Sequence, residues 1–189
     1  MKRSLFLAAI AAMILTSGPR LHAETYKIDT VHSGVTFQIM HNGVNYVPGM
    51  FTKFEGTIVF DKDDPAKNEL DLTIDTNSIF TGNMKRDQHL KGPDFFNVKQ
   101  FPTATFKSTS VKQNDDETYS VTGDLTMLGK TNTVTIKAKF IGENSTDSGV
   151  VIGGWGEFKL TRSLFGMDYG VGKIGDDVIV KLHVQAMKS

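Results

Sequence analysis

The chain has 189 residues, 21 basic and 21 acidic residues, and no cysteine. Without cysteine it has no disulfide, no thiolate ligand for a metal and no cysteine nucleophile. The balanced charge also argues against a nucleic acid as partner, because binding to a phosphate backbone requires a basic surface.

The first 23 residues have the pattern of a Sec-type secretory signal peptide. Two basic residues precede an apolar run from Leu5 to Leu15, and Ala23 supplies the small residue expected before a cleavage site. The apolar run is too short to span a bilayer. We therefore predict a periplasmic or secreted protein whose residues 24–189 form a single domain, with 18 basic and 21 acidic residues.

From Glu24 onward the sequence predicts about nine antiparallel strands joined by short loops. Apolar and polar residues alternate with a period of two, which is typical of strands with one buried face. The apolar positions begin with Val35, Phe37 and Ile39 and continue through the chain to Val180, Leu182 and Val184. Residues 42–48 are expected to form a loop, and Leu128 with Gly129 a tight connection.

One short helix is predicted between the strands. Asn83 is suited to the N-cap, residues 84–91 are good helix formers, and Gly92 with Pro93 ends the run. Arg86, His89 and Leu90 then share one helix face. Three phenylalanines follow at Phe95, Phe96 and Phe101 and must cover an apolar surface. The segment is expected to act as a plug or lid.

Strands in this number close into a barrel or stack as a sandwich. The apolar face mixes bulky phenylalanine with glycine, as a curved wall around a space would need, and the helix with its phenylalanines is suited to closing one end. These features favour a barrel, while the alternation by itself is equally compatible with a sandwich.

With these residues in place, the chain from Tyr26 to Ala186 resembles the YceI family of exported, lipocalin-like proteins. The resemblance rests on several separated motifs in a fixed order. They are Ile28-Asp29, His32-Ser33, Phe37, His41, Gly49 to Gly56 with Phe54, Ser78 to Leu90 with Thr81, Arg86, Asp87 and His89, Asp94 to Phe96, Phe101-Pro102, Phe106 with Ser108, Gly123 to Thr126 with Gly129, and Arg162 with Phe165 to Met167.

The resemblance implies an all-β fold with one short helix, an extended lipocalin-like antiparallel β-barrel that encloses an elongated apolar cavity. It implies a polyisoprenoid or related lipid as ligand, no cofactor and no catalysis. A transient contact with a membrane and a homodimer are both compatible with it.

A prenyl tail requires a tunnel lined by side chains that offer area without polar demands, as phenylalanine and methionine do. The candidate cavity-lining residues are Phe37, Phe54, Ile58, Phe60, Phe106, Leu125, Met127, Phe140, Trp155 and Phe158. Strand parity separates inside from outside but does not separate a cavity wall from a packed core. Strict alternation cannot place both Trp155 and Phe158 inside, so one faces outward or the run from Gly153 to Gly156 contains a bulge.

Arg86 and His89 have two interpretations. They are candidate contacts for a polar or pyrophosphate head group at the cavity mouth, since arginine binds phosphate oxygens in a forked geometry. In the alternative, which we favour, Arg86, Asp87 and His89 bond to one another and to nearby backbone. A metal site built from His32, His41 and His89 has little support, because their spacing matches no ligand signature.

The leading hypothesis is an exported carrier that holds a polyisoprenoid or similar amphipathic lipid. No catalytic motif is present, and the paired carboxylates lie in predicted turns. Two alternatives remain: an enzyme that modifies a lipid or quinone precursor with His89 and Arg86 in its site, and a packed barrel that acts as a stress or interaction module without ligand.

Overall fold

The structure, a computed structural model, describes residues 23–189. The predicted signal peptide therefore lies, except for Ala23, outside the described residues. The strands are β1 (Glu24–Ile28), β2 (Gly34–His41), β3 (Asn45–Phe51), β4 (Phe54–Phe60), β5 (Glu69–Asp75), β6 (Ile79–Phe80), β7 (Thr103–Gln113), β8 (Tyr119–Met127), β9 (Lys130–Thr146), β10 (Gly149–Thr161) and β11 (Ile174–Lys188). The helix α1 (Met84–Leu90) and three short 3₁₀ helices, Pro65–Lys67, Thr76–Ser78 and Arg162–Phe165, complete the elements.

Eight of these strands close into an antiparallel barrel. The order is β1, β4, β5, β7, β8, β9, β10 and β11, and pairing of β1 with β11 joins the two ends. Because the sheet closes on itself, each of the eight strands has a paired neighbour on both sides within the closed part of the barrel. The predicted lipocalin-like barrel is thus confirmed, and the sandwich that the alternation also allowed is excluded.

The other three strands extend the wall at one end. β11 pairs with β1 through residues 186–188 and with β2 through residues 174–183. The strands β1 and β2 therefore lie end to end along the same edge of β11. β3 pairs with β2, and β6 pairs with β3. Between β6 and β7 the chain leaves the sheet, and α1 with the segment that follows it occupies this end of the barrel.

The expected loop at residues 42–48 is wrong, because most of it belongs to the strand β3. Asn42 and Gly43 have φ values of 52° and 69°, as in the tight hairpin turns that asparagine and glycine favour. Gly49 on β3 lies opposite Phe37, and a Cβ on it would be 2.3 Å from the Phe37 ring. The hairpin raises the strand number above the predicted nine.

The helix and several turns agree with the sequence pattern. The Asn83 side chain caps α1 by accepting from the backbone N–H of Arg86. Leu128 and Gly129 both have positive φ and join β8 to β9 directly. Within residues 23–189, no helix is both long and apolar enough to cross a membrane.

Two groups of buried side chains stabilise the barrel. The larger fills its middle and reaches the helix end, and the smaller, Tyr26 with Ile152 and Ala186, lies at the opposite end. The Tyr26 hydroxyl donates to Glu24 Oε2 at 3.0 Å. Burial, together with this hydrogen bond, raises the pKa of Tyr26 to about 12, so the phenol stays neutral throughout the physiological range.

Candidate functional site

The main candidate site is a cavity of ≈ 550 Å³ inside the helix end of the barrel. This volume lies in the range of about 300–1,000 Å³ that is typical of small-molecule sites. Alternate residues of β2, β3, β10 and β11 form much of the wall, because side chains at every second strand position point inward. Along β2 the wall runs from Val35 to His41, which corresponds to about 20 Å of strand.

The wall is apolar over most of its surface. Six lining residues are polar: His41, Thr81, Lys85, Arg86, His89 and Arg162. All the other lining residues are aliphatic, aromatic or methionine. His41, Lys85, Arg86 and His89 are also exposed to solvent, so the cavity opens between the end of β2 and α1. The polar lining is therefore concentrated at the mouth, with Arg162 as the exception.

Arg86 and Asp87 both bond to Thr81 beside the mouth. Arg86 Nε donates to Thr81 Oγ1 and Arg86 Nη2 donates to the Thr81 carbonyl, each at 2.7 Å. Asp87 Oδ1 accepts from the Thr81 backbone N–H at 2.9 Å. These contacts agree with the structural interpretation, in which the two charged side chains hold α1 against the chain before it.

His89 is held by a carboxylate and by two aromatic rings. Its Nε2 lies 2.8 Å from Asp94 Oδ2, and its ring meets Phe95 and Tyr169 edge to face at centroid distances of 5.0 and 5.2 Å. His89 and Arg86 nevertheless both line the cavity. The two side chains therefore make structural hydrogen bonds and also lie at the cavity mouth. A contact with a lipid head group stays a prediction.

An aromatic layer lies beneath the helix. Phe95 is buried and lines the cavity, and Phe96 packs edge to face on Phe51 at 5.5 Å. Phe51 in turn meets Phe37 at 5.7 Å. The expected plug is therefore built from two of the three phenylalanines after α1, while Phe101 packs beside Gly129.

Arg162 is a buried cation in the cavity wall, with 1% of its surface exposed. Nε donates to the Gly175 carbonyl at 2.8 Å, Nη1 to the Met167 carbonyl at 2.7 Å and Nη2 to the Ile174 carbonyl at 3.2 Å. Burial lowers the pKa of Arg162 from its usual value, opposed by the negative charges of Asp176 and Asp168. Arginine remains charged even so, and its fork ties the start of β11 to the loop before it.

A smaller cavity of ≈ 130 Å³ lies toward the opposite end of the barrel. Its wall includes Tyr119 and Val121 of β8, Ile152 of β10 and Val184 of β11. Strands β8, β10 and β11 therefore line both cavities, at different points along their length.

One layer of side chains separates the two cavities. Phe106 on β7 lies between Ala104, which lines the larger cavity, and Val111, which lines the smaller one. Its neighbour in register is Leu72. The tip of the Phe106 ring lies over Gly123, where a Cβ would be only 2.5 Å from Cζ. We call Phe106, Leu72 and Gly123 the partition.

The ten candidate lining residues divide between these regions. The larger cavity is lined by Phe37, Leu125, Met127 and Phe158. The smaller cavity is lined by Ile58, Phe60, Phe140 and Trp155. Neither cavity is lined by Phe54 or Phe106. Phe106 is buried in the core, and Phe54 packs against the same core, because inward parity does not distinguish a cavity wall from a filled layer.

Trp155 and Phe158 have opposite orientations, as the alternation requires. Trp155 lies opposite His183 in register, on the outer side of the sheet, although it borders the smaller cavity beside Gly154. Phe158 lies opposite Val180, and both line the larger cavity. The pairing of β10 with β9 is also irregular between Gly153 and Gly154.

Residues 23–189 contain no cluster of three histidine, aspartate or glutamate side chains that could hold a metal ion. His32 Nδ1 lies 2.6 Å from Asp29 Oδ2, away from the cavity wall, while His41 and His89 line the mouth. The carboxylate beside His89 is Asp94 rather than Asp87.

Sequence reasoning did not assign several lining residues to the site. They include Arg162, Met167, Phe51, Phe95 and Val178. Arg162 and Met167 stand in a sequence motif, but no strand periodicity indicates where their side chains point. The alternation over residues 47–51, once assigned to a strand, would have placed Phe51 on the inner face.

Comparison with known proteins gives the same picture. The family model for the YceI-like domain matches residues 26–186. The chain belongs to the YceI family. Protein YceI of Salmonella arizonae is 37% identical over 191 residues, covering 100% of this chain and 99% of the relative.

Solved YceI-like structures share the barrel. The crystal structure of Burkholderia cenocepacia BcnA matches with a TM-score of 0.78 at 27% identity, covering 85% of this chain and 99% of that one. A polyisoprenoid binding domain from Saccharophagus degradans matches with a TM-score of 0.67, covering 89% of this chain and 100% of that one. At 15% identity, this second likeness bears on the fold alone.

Proposed function

We propose that this YceI-family protein is an exported carrier that holds a polyisoprenoid or similar amphipathic lipid in its larger cavity, without covalent chemistry. The observation that carries the proposal is the ≈ 550 Å³ apolar cavity, open at one end and polar at its mouth. The alternative of a packed barrel without ligand predicts no cavity of this size.

The division of the lining suits an amphipathic ligand. At roughly 25 cal/mol per Å², burying a few hundred Å² of an apolar tail supplies several kcal/mol before ordering costs. Among residues 23–189, the inner wall offers no charged partner except Arg162, whose fork already bonds to three carbonyls. A polar head is therefore expected at the mouth, near Lys85, Arg86 and His89.

The chain shares its fold with a Saccharophagus degradans domain named as polyisoprenoid binding, which makes a polyisoprenoid the first ligand class to test. Membership of the YceI family supports binding rather than catalysis. Export is inferred from the N-terminal pattern of residues 1–23. A prenyl tail exposed to water is costly, so a barrel that encloses the tail would allow such a lipid to leave a membrane.

Native mass spectrometry of the mature protein purified from its host, followed by solvent extraction, tests the proposal. We expect a bound lipid with a prenyl tail in near-stoichiometric amount. A protein that is bare and that also fails to take up added prenyl lipids would contradict the proposal.

Two variants locate the ligand. Leu125→Asp places a charge in the cavity wall, and Thr126→Asp on the outer face of the same strand is its control. Val178→Trp fills the cavity without adding a charge, and the neighbouring Ile179→Trp is its control. We expect both cavity variants to lose lipid and both controls to retain it. Retention of lipid by a folded Val178→Trp protein would place the ligand elsewhere.

A further inference from the structure

Several large apolar side chains beside the cavity mouth are exposed to solvent. Val44 at the tip of the β2–β3 hairpin is 83% exposed, and Tyr46 beside it is 44% exposed. Beside the hairpin, Tyr169 and Val171 in the loop before β11 are 46% and 49% exposed. Exposed apolar residues scattered singly are ordinary, but a group at a functional opening is characteristic of an interaction surface.

These two segments form one continuous rim. The backbone N–H of Asn42 donates to the Lys173 carbonyl at 2.6 Å, which joins the hairpin tip to the loop. Tyr169 packs on His89, which joins the loop to α1. The apolar group therefore lies beside the entrance that a ligand would use.

The charge on the same rim is positive. Lys85 and Lys173 are exposed, and in the described part of the chain neither has a carboxylate within 4.0 Å. The nearby Asp94 and Asp177 are paired, Asp94 with His89 and Asp177 with Lys159, each at 2.8 Å. Asp168 on the loop offsets part of the charge, but Arg86 adds to it. Asp87 and Asp176 are engaged by Thr81 and Ser163, so the exposed side chains of the rim carry a small positive excess, on a mature chain that is acidic overall.

We propose that this rim docks on the surface of a bilayer that contains anionic lipid. We define the docking rim as Val44, Tyr46, Tyr169 and Val171 with Lys85 and Lys173. Apolar side chains that insert at the level of the head groups, flanked by lysines, are the combination that holds a peripheral protein on such a surface. Docking brings the cavity mouth against the membrane, so an apolar tail enters or leaves without crossing water.

This inference rests on the proposed carrier function for its purpose, but the docking is measurable without any ligand in the cavity. Flotation with vesicles of phosphatidylcholine and phosphatidylglycerol reports binding of the mature protein to an anionic surface. Vesicles of phosphatidylcholine alone are the neutral comparison. We expect binding to the anionic vesicles that weakens with added salt, because exposed charges are screened.

Two double variants separate the apolar and the charged contributions. Val44→Ser with Val171→Ser is expected to weaken vesicle binding at least about tenfold. Lys85→Gln with Lys173→Gln is expected to weaken it about twentyfold on anionic vesicles and little on neutral ones. Ile141→Ser is the matched control, since Ile141 is 71% exposed on β9, toward the smaller cavity.

The outcomes distinguish the two proposals. Absence of vesicle binding by the wild-type protein, or an equal loss in Ile141→Ser, would overturn the docking rim, and a barrel that still contained extracted lipid would leave the carrier function standing. Vesicle binding that depends on the rim in a protein that never contains or accepts lipid would support the docking rim and contradict the carrier. A wild-type protein that ignores vesicles but uses the rim to bind another protein also overturns the proposal.

Discussion

Replacement of Phe106 by alanine tests whether the partition limits the length of the bound chain. Phe106 is 4% exposed and lies between cavities of ≈ 550 and ≈ 130 Å³. Removing a buried phenylalanine side chain costs about 3–5 kcal/mol of the free energy of unfolding. For a domain of this size, each kcal/mol lowers the melting temperature by about 2–4 °C, so a decrease of roughly 6–20 °C is expected.

The same substitution connects the two cavities. The affinity of the wild-type protein for prenols of increasing length is expected to rise until the larger cavity is filled and then to level off. In Phe106→Ala the tail continues into the smaller cavity. At about 0.8 kcal/mol per buried CH₂, one further prenyl unit contributes up to about 4 kcal/mol before ordering costs.

A fluorescence competition assay with a series of prenols of increasing length, run well below the lowered melting temperature, measures the change. Phe165→Ala is the control, because Phe165 is also buried but lines neither cavity. We expect the length at which affinity levels off to shift in Phe106→Ala only. If Phe106→Ala lost stability as calculated and kept the wild-type dependence on length, the partition would not limit the ligand.

Three further predictions concern stability. Gly123→Ala should destabilise the fold by about 1–3 kcal/mol, because the added Cβ would lie 2.4 Å from the Lys107 carbonyl oxygen. Gly142→Ala is the control, since a Cβ there would meet nothing within 4 Å. Equal urea midpoints for the two variants would refute this reasoning. Arg162→Lys should be destabilised nearly as much as Arg162→Met, by about 3 kcal/mol, because an ammonium cannot donate to three buried carbonyls in the geometry of the guanidinium fork. A thermal midpoint of Arg162→Lys equal to that of the wild-type protein would contradict this. Burial disfavours ionisation of Asp61, but the N–H groups of Asp63 and Asp64 and the charge of Lys67 outweigh it and lower the pKa of Asp61. The stabilisation from this lowered pKa is therefore complete above the pKa of the unfolded chain, about 3.9, and is lost as the pH falls through the pKa of the folded protein. Asp61→Asn should therefore flatten the acid side of the curve of unfolding free energy against pH. An unchanged curve would show that the carboxylate contributes nothing to this pH dependence.

The candidate head-group residues on α1 follow local rules that are visible in the sequence. Asn83 as cap, the helix from Met84 and the shared face of Arg86 and His89 all depend on residues within one or two turns of each other. The segment was therefore predictable in position and orientation. The contacts of the segment were less predictable. His89 contacts Asp94 and Tyr169, and Tyr169 is distant in sequence.

Alternation of apolar and polar residues by itself determined the all-β class, the inward faces and the approximate strand positions. It did so because a strand exposes alternate residues to opposite sides whatever its neighbours are. It failed at residues 42–48, where the Asn42-Gly43 turn is tighter than the loop expected there, and it could not reveal the pairing of β1 with β11.

Only the tertiary structure decided which inward residues face empty space. Phe37, Phe106 and Phe140 have the same parity in their strands, yet the first lines the larger cavity, the second fills the partition and the third lines the smaller cavity. The difference arises from which side chains surround each ring, as when Gly123 on the neighbouring strand leaves room for the ring of Phe106. Parity is a property of one strand, whereas a cavity is the volume that side chains from all the strands together leave unfilled.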